Sequence, residues 1–137
     1  MRMLDEQLQE NEKMERAIAA LQQEPTQEML AHTLTVIRRR MNEGGQLVVA
    51  VEAPAGTGQL NAQAIQTVDG GIWWTAFTSF EEEIRGSSSV MSTFLGNMKQ
   101  LFEAALKTEG INGIIINPWN RTIMLDKELL RIVLGES

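Results

Sequence analysis

The sequence has no cysteine, no tyrosine and a single histidine among its 137 residues. Without cysteine there are no disulfides, no thiol nucleophiles and no thiolate metal sites, which fits a reducing compartment, and the expectation is a cytoplasmic protein. His32 stands alone, so no histidine pair exists for a zinc site, and the glutamates do not follow the alternating oxygen-ligand pattern of a calcium loop. No metal or other cofactor is expected. No run approaches the roughly 18 apolar residues of a membrane span. The start of the chain, rich in Asp, Glu and Gln, lacks the basic-then-apolar order of an export signal. Positive charge is also scarce: 12 Lys and Arg face 18 Asp and Glu, for a net charge of -6. That field repels phosphate backbones and anionic membranes, which argues against nucleic acid and membrane as partners. The one basic run, Arg38, Arg39 and Arg40, falls where a helix should end, and cations there complement the dipole of the last turn.

What is present is enough apolar residue, 43% of the chain, to build one core without covalent help. Residues 3–23 carry Leu8, Met14, Ala17, Ile18 and Leu21 on an irregular helical stripe. After the break at Pro25 and Thr26, Leu30, Leu34, Ile37 and Met41 recur on one face of a second helix, which Gly44 and Gly45 end. An N-terminal helical pair therefore spans residues 1–45, and an α/β region spans 46–137, the two forming one structural domain. Residues 47–51 read as a buried strand. Residues 60–68 and 72–78 flank Asp69, Gly70 and Gly71 and read as a hairpin. Ser79 and Glu82 fit a capping box for a short helix starting at Phe80. After Gly86, Ser87, Ser88 and Ser89, the spacing of Phe94, Leu95, Met98, Leu101, Phe102 and Ala105 predicts the principal amphipathic helix, running to Thr108. Residues 111–116 and 122–125 complete the strands, and Asp126 caps a last helix carrying Leu129, Leu130, Val133 and Leu134. The fold class is α+β, in the layered α/β sense: a mixed sheet of four to five strands flanked by helices.

Catalytic chemistry finds little support. A hydroxyl nucleophile needs a base in reach, and pairing His32 with any of Ser87, Ser88 or Ser89 rests on nothing but the presence of both residue types. Glu81, Glu82 and Glu83 are consecutive, so on a helix they diverge. Gly56, Thr57 and Gly58 lack the lysine and the strand-loop-helix setting of a phosphate cradle. Asn120, Arg121 and Thr122 match a glycosylation acceptor, which is irrelevant without secretion. The aromatic residues are the more informative set. Trp73, Trp74, Phe77 and Trp119 sit at strand ends beside Thr78, Ser79, Asn117 and Asn120, and neighbouring strand residues face opposite sides, so Trp73 and Trp74 cannot share one core. One indole must be covered by a helix or offered outward, and exposed indoles are enriched at binding hot spots. Asn117, before Pro118, is expected to hold its turn through side-chain hydrogen bonds.

The segments Trp74-Thr75-Ala76-Phe77-Thr78-Ser79-Phe80 and Ile115-Ile116-Asn117-Pro118-Trp119-Asn120 resemble the SseB N-terminal domain family, the bacterial "enhanced serine sensitivity" group. In that family a hairpin ends in Phe-Thr-Ser or Phe-Thr-Asp, an acidic short helix and an amphipathic helix follow, and a strand then closes in Ile-Asn-Pro before a last strand and helix. Residues 46–134 follow the same order, and the helices before Gln46 lie outside the resemblance. The resemblance implies a fold and no catalytic residue. Longer members carry a second, C-terminal domain without a counterpart here, so any activity residing there is not expected. The expected function is a noncatalytic interaction or regulatory module that binds a protein partner or a second copy of itself, through the aromatic strand ends or the N-terminal helices. The alternative is a binder of a small, amino-acid-like metabolite, or a weak enzyme using Asn, Ser and Thr hydrogen bonds.

Overall fold

A computed structural model describes residues 11–52, 61–62, 64–79 and 92–135. The expected short helix from Phe80, the serines Ser87 to Ser89, the Gly56 loop and the first half of the leading helix lie outside the described residues. Among the described residues, four helices and seven strands follow in the order α1 (Glu12–Gln23), α2 (Gln27–Asn42), β1 (Gln46–Glu52), β2 (Asn61–Ala62), β3 (Ala64–Gln66), β4 (Ile72–Ala76), β5 (Ser92–Asn97), α3 (Met98–Lys107), β6 (Gly113–Ile116), β7 (Ile123–Asp126) and α4 (Lys127–Leu134). The class is α+β, led by a helical pair.

Local chemistry sets the boundaries. Thr26, Asn97 and Asp126 each turn a side-chain oxygen onto an amide of the helix that follows, at 3.1, 3.1 and 2.9 Å, satisfying donors that the first turn leaves orphaned. Gly135 ends α4 in the left-handed region at φ 78°. In the β3–β4 hairpin, Asp69 accepts from the Thr67 hydroxyl and from the Gly71 amide, the latter at 3.0 Å, and Gly70 takes φ 90°. Only a residue without Cβ takes that angle at no steric cost.

β3, β4, β6 and β7 form a mixed sheet in that order, with β4 parallel to β6 and the outer pairs antiparallel. Register lines up Trp74, Ile114 and Leu125, then Ala76, Ile116 and Ile123. These six residues share one face and pack into a single core with Met14 and Ile18 of α1, Leu34, Ile37 and Met41 of α2, Met98, Phe102 and Ala105 of α3, and Leu130 and Val133 of α4. Both N-terminal helices thus bury their apolar stripes on the same sheet as the two later helices.

β1 lies between β2 and β5 in a second, antiparallel ladder. Val48 exchanges backbone hydrogen bonds of 2.8 and 2.9 Å with Phe77, just past β4, and so joins the two ladders. Val48, Ala50 and Phe77, with Leu95 beside them, make a small second core there.

One expectation is corrected. The principal amphipathic helix starts at Met98, not near Phe94, and residues 92–97 are strand β5, paired along β1 from Gln46↔Asn97 to Val51↔Ser92. The apolar spacing that suggested a longer helix is compatible with a strand over so short a stretch. Gly96 disfavours helix by about 1 kcal/mol relative to alanine, the Ser-Thr-Phe triplet suits extended backbone, and Asn97 supplies the helix cap.

Candidate functional site

β4 and β6 are parallel, so their carboxyl ends lie side by side, in the position where open α/β sheets bind ligands. Phe77, Thr78 and Ser79 follow β4 there, and Asn117, Pro118, Trp119 and Asn120 follow β6. Asn117 continues the ladder by donating its amide to the Ala76 carbonyl at 2.8 Å, then turns sharply with φ 55°. Asparagine tolerates that left-handed angle better than most residues.

The structure brings Thr78 and Asn117 into direct contact. Both are buried completely. The Thr78 amide donates to Asn117 Oδ1 at 2.9 Å, and Asn117 Nδ2 donates to Thr78 Oγ1 at 3.0 Å. The Thr78 hydroxyl in turn donates to Glu15 Oε2. The other carboxylate oxygen, Oε1, accepts from Arg121 Nη1 at 3.3 Å. One turn before Glu15, Asn11 does not use its side chain to cap α1. Its Nδ2 instead donates to the carbonyls of Gln46 and Thr78, at 2.8 and 3.0 Å, while its Oδ1 accepts from Arg40 Nε at 2.8 Å. α1 is thereby fastened over the paired strand ends by two polar side chains, i and i+4 on one face.

A hydroxyl bonded to a carboxylate has the connectivity of an activated nucleophile. Its surroundings deny that role. Thr78 is enclosed, and its hydroxyl both donates to Glu15 and accepts from Asn117, so no reacting atom can approach it. Such a satisfied polar network rigidifies and specifies a core. Outside it, Glu12, Glu15, Arg16, Ala19 and Arg121 line a hollow of about 450 Å³ in which guanidinium and carboxylate groups already pair with one another. Among the described residues no three His, Asp or Glu side chains converge as metal ligands would.

The other expected site residues are dispersed. Trp73 and Trp74 sit at the opposite end of β4 from Thr78 and on opposite faces. Trp74 is half-buried against the helical core, while Trp73 is 9% exposed, with an indole Nε1 that has no hydrogen-bond partner among the described residues. A Cβ on Gly71 would lie 3.2 Å from that nitrogen and 2.5 Å from Asn112 Nδ2, so the glycine lets the chain pass this close to the ring. Phe77 fills the small core, and Ser79 and Asn120 are partly buried. Trp119, 44% exposed, is the one tryptophan offered to solvent. Arg38, Arg39 and Arg40 do not act as one patch: the Arg40 side chain turns inward to Asn11, while Arg38 and Arg39 stay exposed.

A surface absent from the sequence reading lies along α2. Leu30, Ala31, Leu34, Thr35 and Arg38 of α2 and Leu129 and Ile132 of α4 line a hollow of about 360 Å³. A second hollow, about 420 Å³, reaches from Leu21, Pro25 and Leu30 to Ile123 and Met124 of β7. Gln27 and Leu30 line both, so the two form one largely apolar groove. Ile132 and Met124, 50% and 42% exposed, lie on its two lengths. The signal in the sequence was the second stripe of α2, at positions 27, 31, 35 and 38, beside the core stripe. Comparison with family models, curated proteins and solved structures returns no match.

Proposed function

We propose that the chain is a noncatalytic, cytoplasmic interaction module of the SseB N-terminal domain type, and that it docks a protein partner in the groove between α2, α4 and β7. The observation that carries this reading is the contrast between two surfaces. At the strand ends, where a ligand would be sought first, Thr78 and Asn117 spend their polar groups on each other and on α1. Along α2, a continuous apolar groove holds half-exposed Ile132 and Met124, the pattern of a surface made to be covered. The docking surface is therefore the groove that α2 forms with α4 and β7, with Trp119 as an outlying aromatic and Trp73 and Trp74 serving the fold.

The test is affinity isolation with the tagged chain and the variants Ile132→Asp, Met124→Asp and Val68→Asp. Val68 is the exposed hairpin-tip control. The expected result is one partner held by the parent chain and by Val68→Asp and lost by the two groove variants, with melting curves unchanged. An identical set of proteins held by all four chains would refute the reading, and sedimentation separates a foreign partner from a second copy.

A second reading has its own observation. The hollow beside Glu15 presents carboxylates and guanidinium groups together, a complement to an amino-acid-like zwitterion. It ranks below the first because such a ligand must break the Glu15–Arg121 and Glu12–Arg16 pairs. A thermal-shift screen decides it, since ligand at about 100 times its dissociation constant adds roughly 2.7 kcal/mol.

A further inference from the structure

The groove carries one charge among its described lining residues, Arg38. In a chain of net charge -6 this local excess of positive charge is notable. Arg38 is exposed and makes no hydrogen bond or ion pair among the described residues, unlike its neighbour Arg40. Its guanidinium rests against the end of α4, where a Cβ on Gly135 would meet Nη2 at 3.0 Å. Among the described residues, one end of the groove therefore carries the unpaired guanidinium of Arg38, and the rest of the lining is apolar or neutral.

The shape identifies what fits. From Gln27 to Arg38 the α2 wall advances in steps of three and four residues, and Leu129 and Ile132 of α4 face it three residues apart. At 1.5 Å per residue this wall is about 16 Å long, and the second hollow extends the groove beyond the start of α2. Two helices side by side with apolar ridges at this spacing offer the seat of a third helix, whose own i, i+3, i+4 and i+7 side chains enter the groove.

Resting on the groove as the docking surface, we propose that its occupant is an amphipathic helix of a partner protein, with an apolar stripe over Leu30, Leu34 and Ile132 and an Asp or Glu set against Arg38. The carboxylate meets a guanidinium that gives up no existing bond to receive it. It supplies register along an otherwise neutral groove, and a helix with lysine at that position is disfavoured.

The test uses a displayed library of helical peptides about 18 residues long, with a constant apolar stripe and randomised flanking positions. It is selected in parallel on the full chain and on the variants Arg38→Glu and Ile132→Asp. The parent chain is expected to enrich peptides with Asp or Glu at one flanking position. These should bind about threefold to tenfold tighter than their lysine counterparts at low salt, less so at high salt, and gain helical circular dichroism on binding. Arg38→Glu should reverse the preference, and Ile132→Asp should abolish binding of either kind. Peptides that need Ile132 but show no charge preference would overturn the acidic partner and leave the groove as a docking surface. If no enriched peptide depends on Ile132, both proposals fall. A dimer of the chain itself that Ile132→Asp dissolves would make a second copy the occupant and overturn the partner helix.

Discussion

Replacing Thr78 with valine keeps the volume and removes one hydroxyl, and so tests whether the cluster at the strand ends is a lock or a reactive site. In the parent chain that hydroxyl donates to the Glu15 carboxylate and accepts from Asn117 Nδ2 in full burial. A bond to a charged group contributes about 1.5–3 kcal/mol, and a buried donor left unsatisfied costs about 1–3 kcal/mol. The added methyl offsets part of this by its own burial, by roughly 0.8 kcal/mol. The expected net loss is about 2–4 kcal/mol, or on the order of 10 °C in Tm for a chain of this size. Urea melts of Thr78→Val, Glu15→Gln and the double variant form a cycle whose coupling should exceed about 1 kcal/mol, because the two groups share one hydrogen bond. A loss below about 0.5 kcal/mol, or strictly additive variants, would refute the lock.

Three further outcomes follow from particular residues. A Cβ on Gly113 would lie 2.0 Å from the Leu125 carbonyl oxygen, so Gly113→Ala should cost at least about 1–3 kcal/mol by displacing β7; an unchanged urea midpoint would contradict the close approach. Asn97→Ala removes the cap that accepts from Gln100 at 3.1 Å and should cost about 1 kcal/mol, with early loss of α3 amide protection as the sign to look for. The Asp69 carboxyl is held below the ordinary aspartate range, first by the Thr67 hydroxyl and then by the Gly71 amide. A depressed folded pKa means that the ionised side chain's stabilisation of the hairpin is present above the unfolded value and is lost as pH falls through the folded one. An NMR titration should place the Asp69 midpoint below that of an unstructured aspartate, with Gly71 protection fading as pH falls through that midpoint; a midpoint at or above the unstructured value would contradict the turn geometry.

The strong periodicities carried most of the fold. The stripe Leu30, Leu34, Ile37 and Met41 became α2, the apolar run after Gln46 became β1, and Asp69-Gly70 became a hairpin turn. β5 was not legible, because six residues are too few to separate periods of 2 and 3.6 and its pairing with β1 is a long-range contact. The tryptophan pair was read correctly as opposed in direction, yet the face that holds Trp73 is closed as well, which no local pattern reveals. At the strand ends, Asn117 was recognised as a turn residue, but its side chain pairs with Thr78, whose own partners Asn11 and Glu15 lie more than 60 residues earlier in the chain. One trace existed: Asn11 and Glu15 fall on the same helical face as Met14 and Ile18, and polar groups on a buried stripe need buried partners. The groove was hidden because it joins the side of α2 to elements almost 100 residues later.

The most direct measurement of the central claim is photo-crosslinking in cells expressing the chain, with a benzophenone side chain in place of Ile132 and, separately, in place of Val68. Position 132 should give a discrete crosslinked partner and position 68 none, since only the first faces the groove. Crosslinks of equal yield from both positions, or from neither, would contradict it.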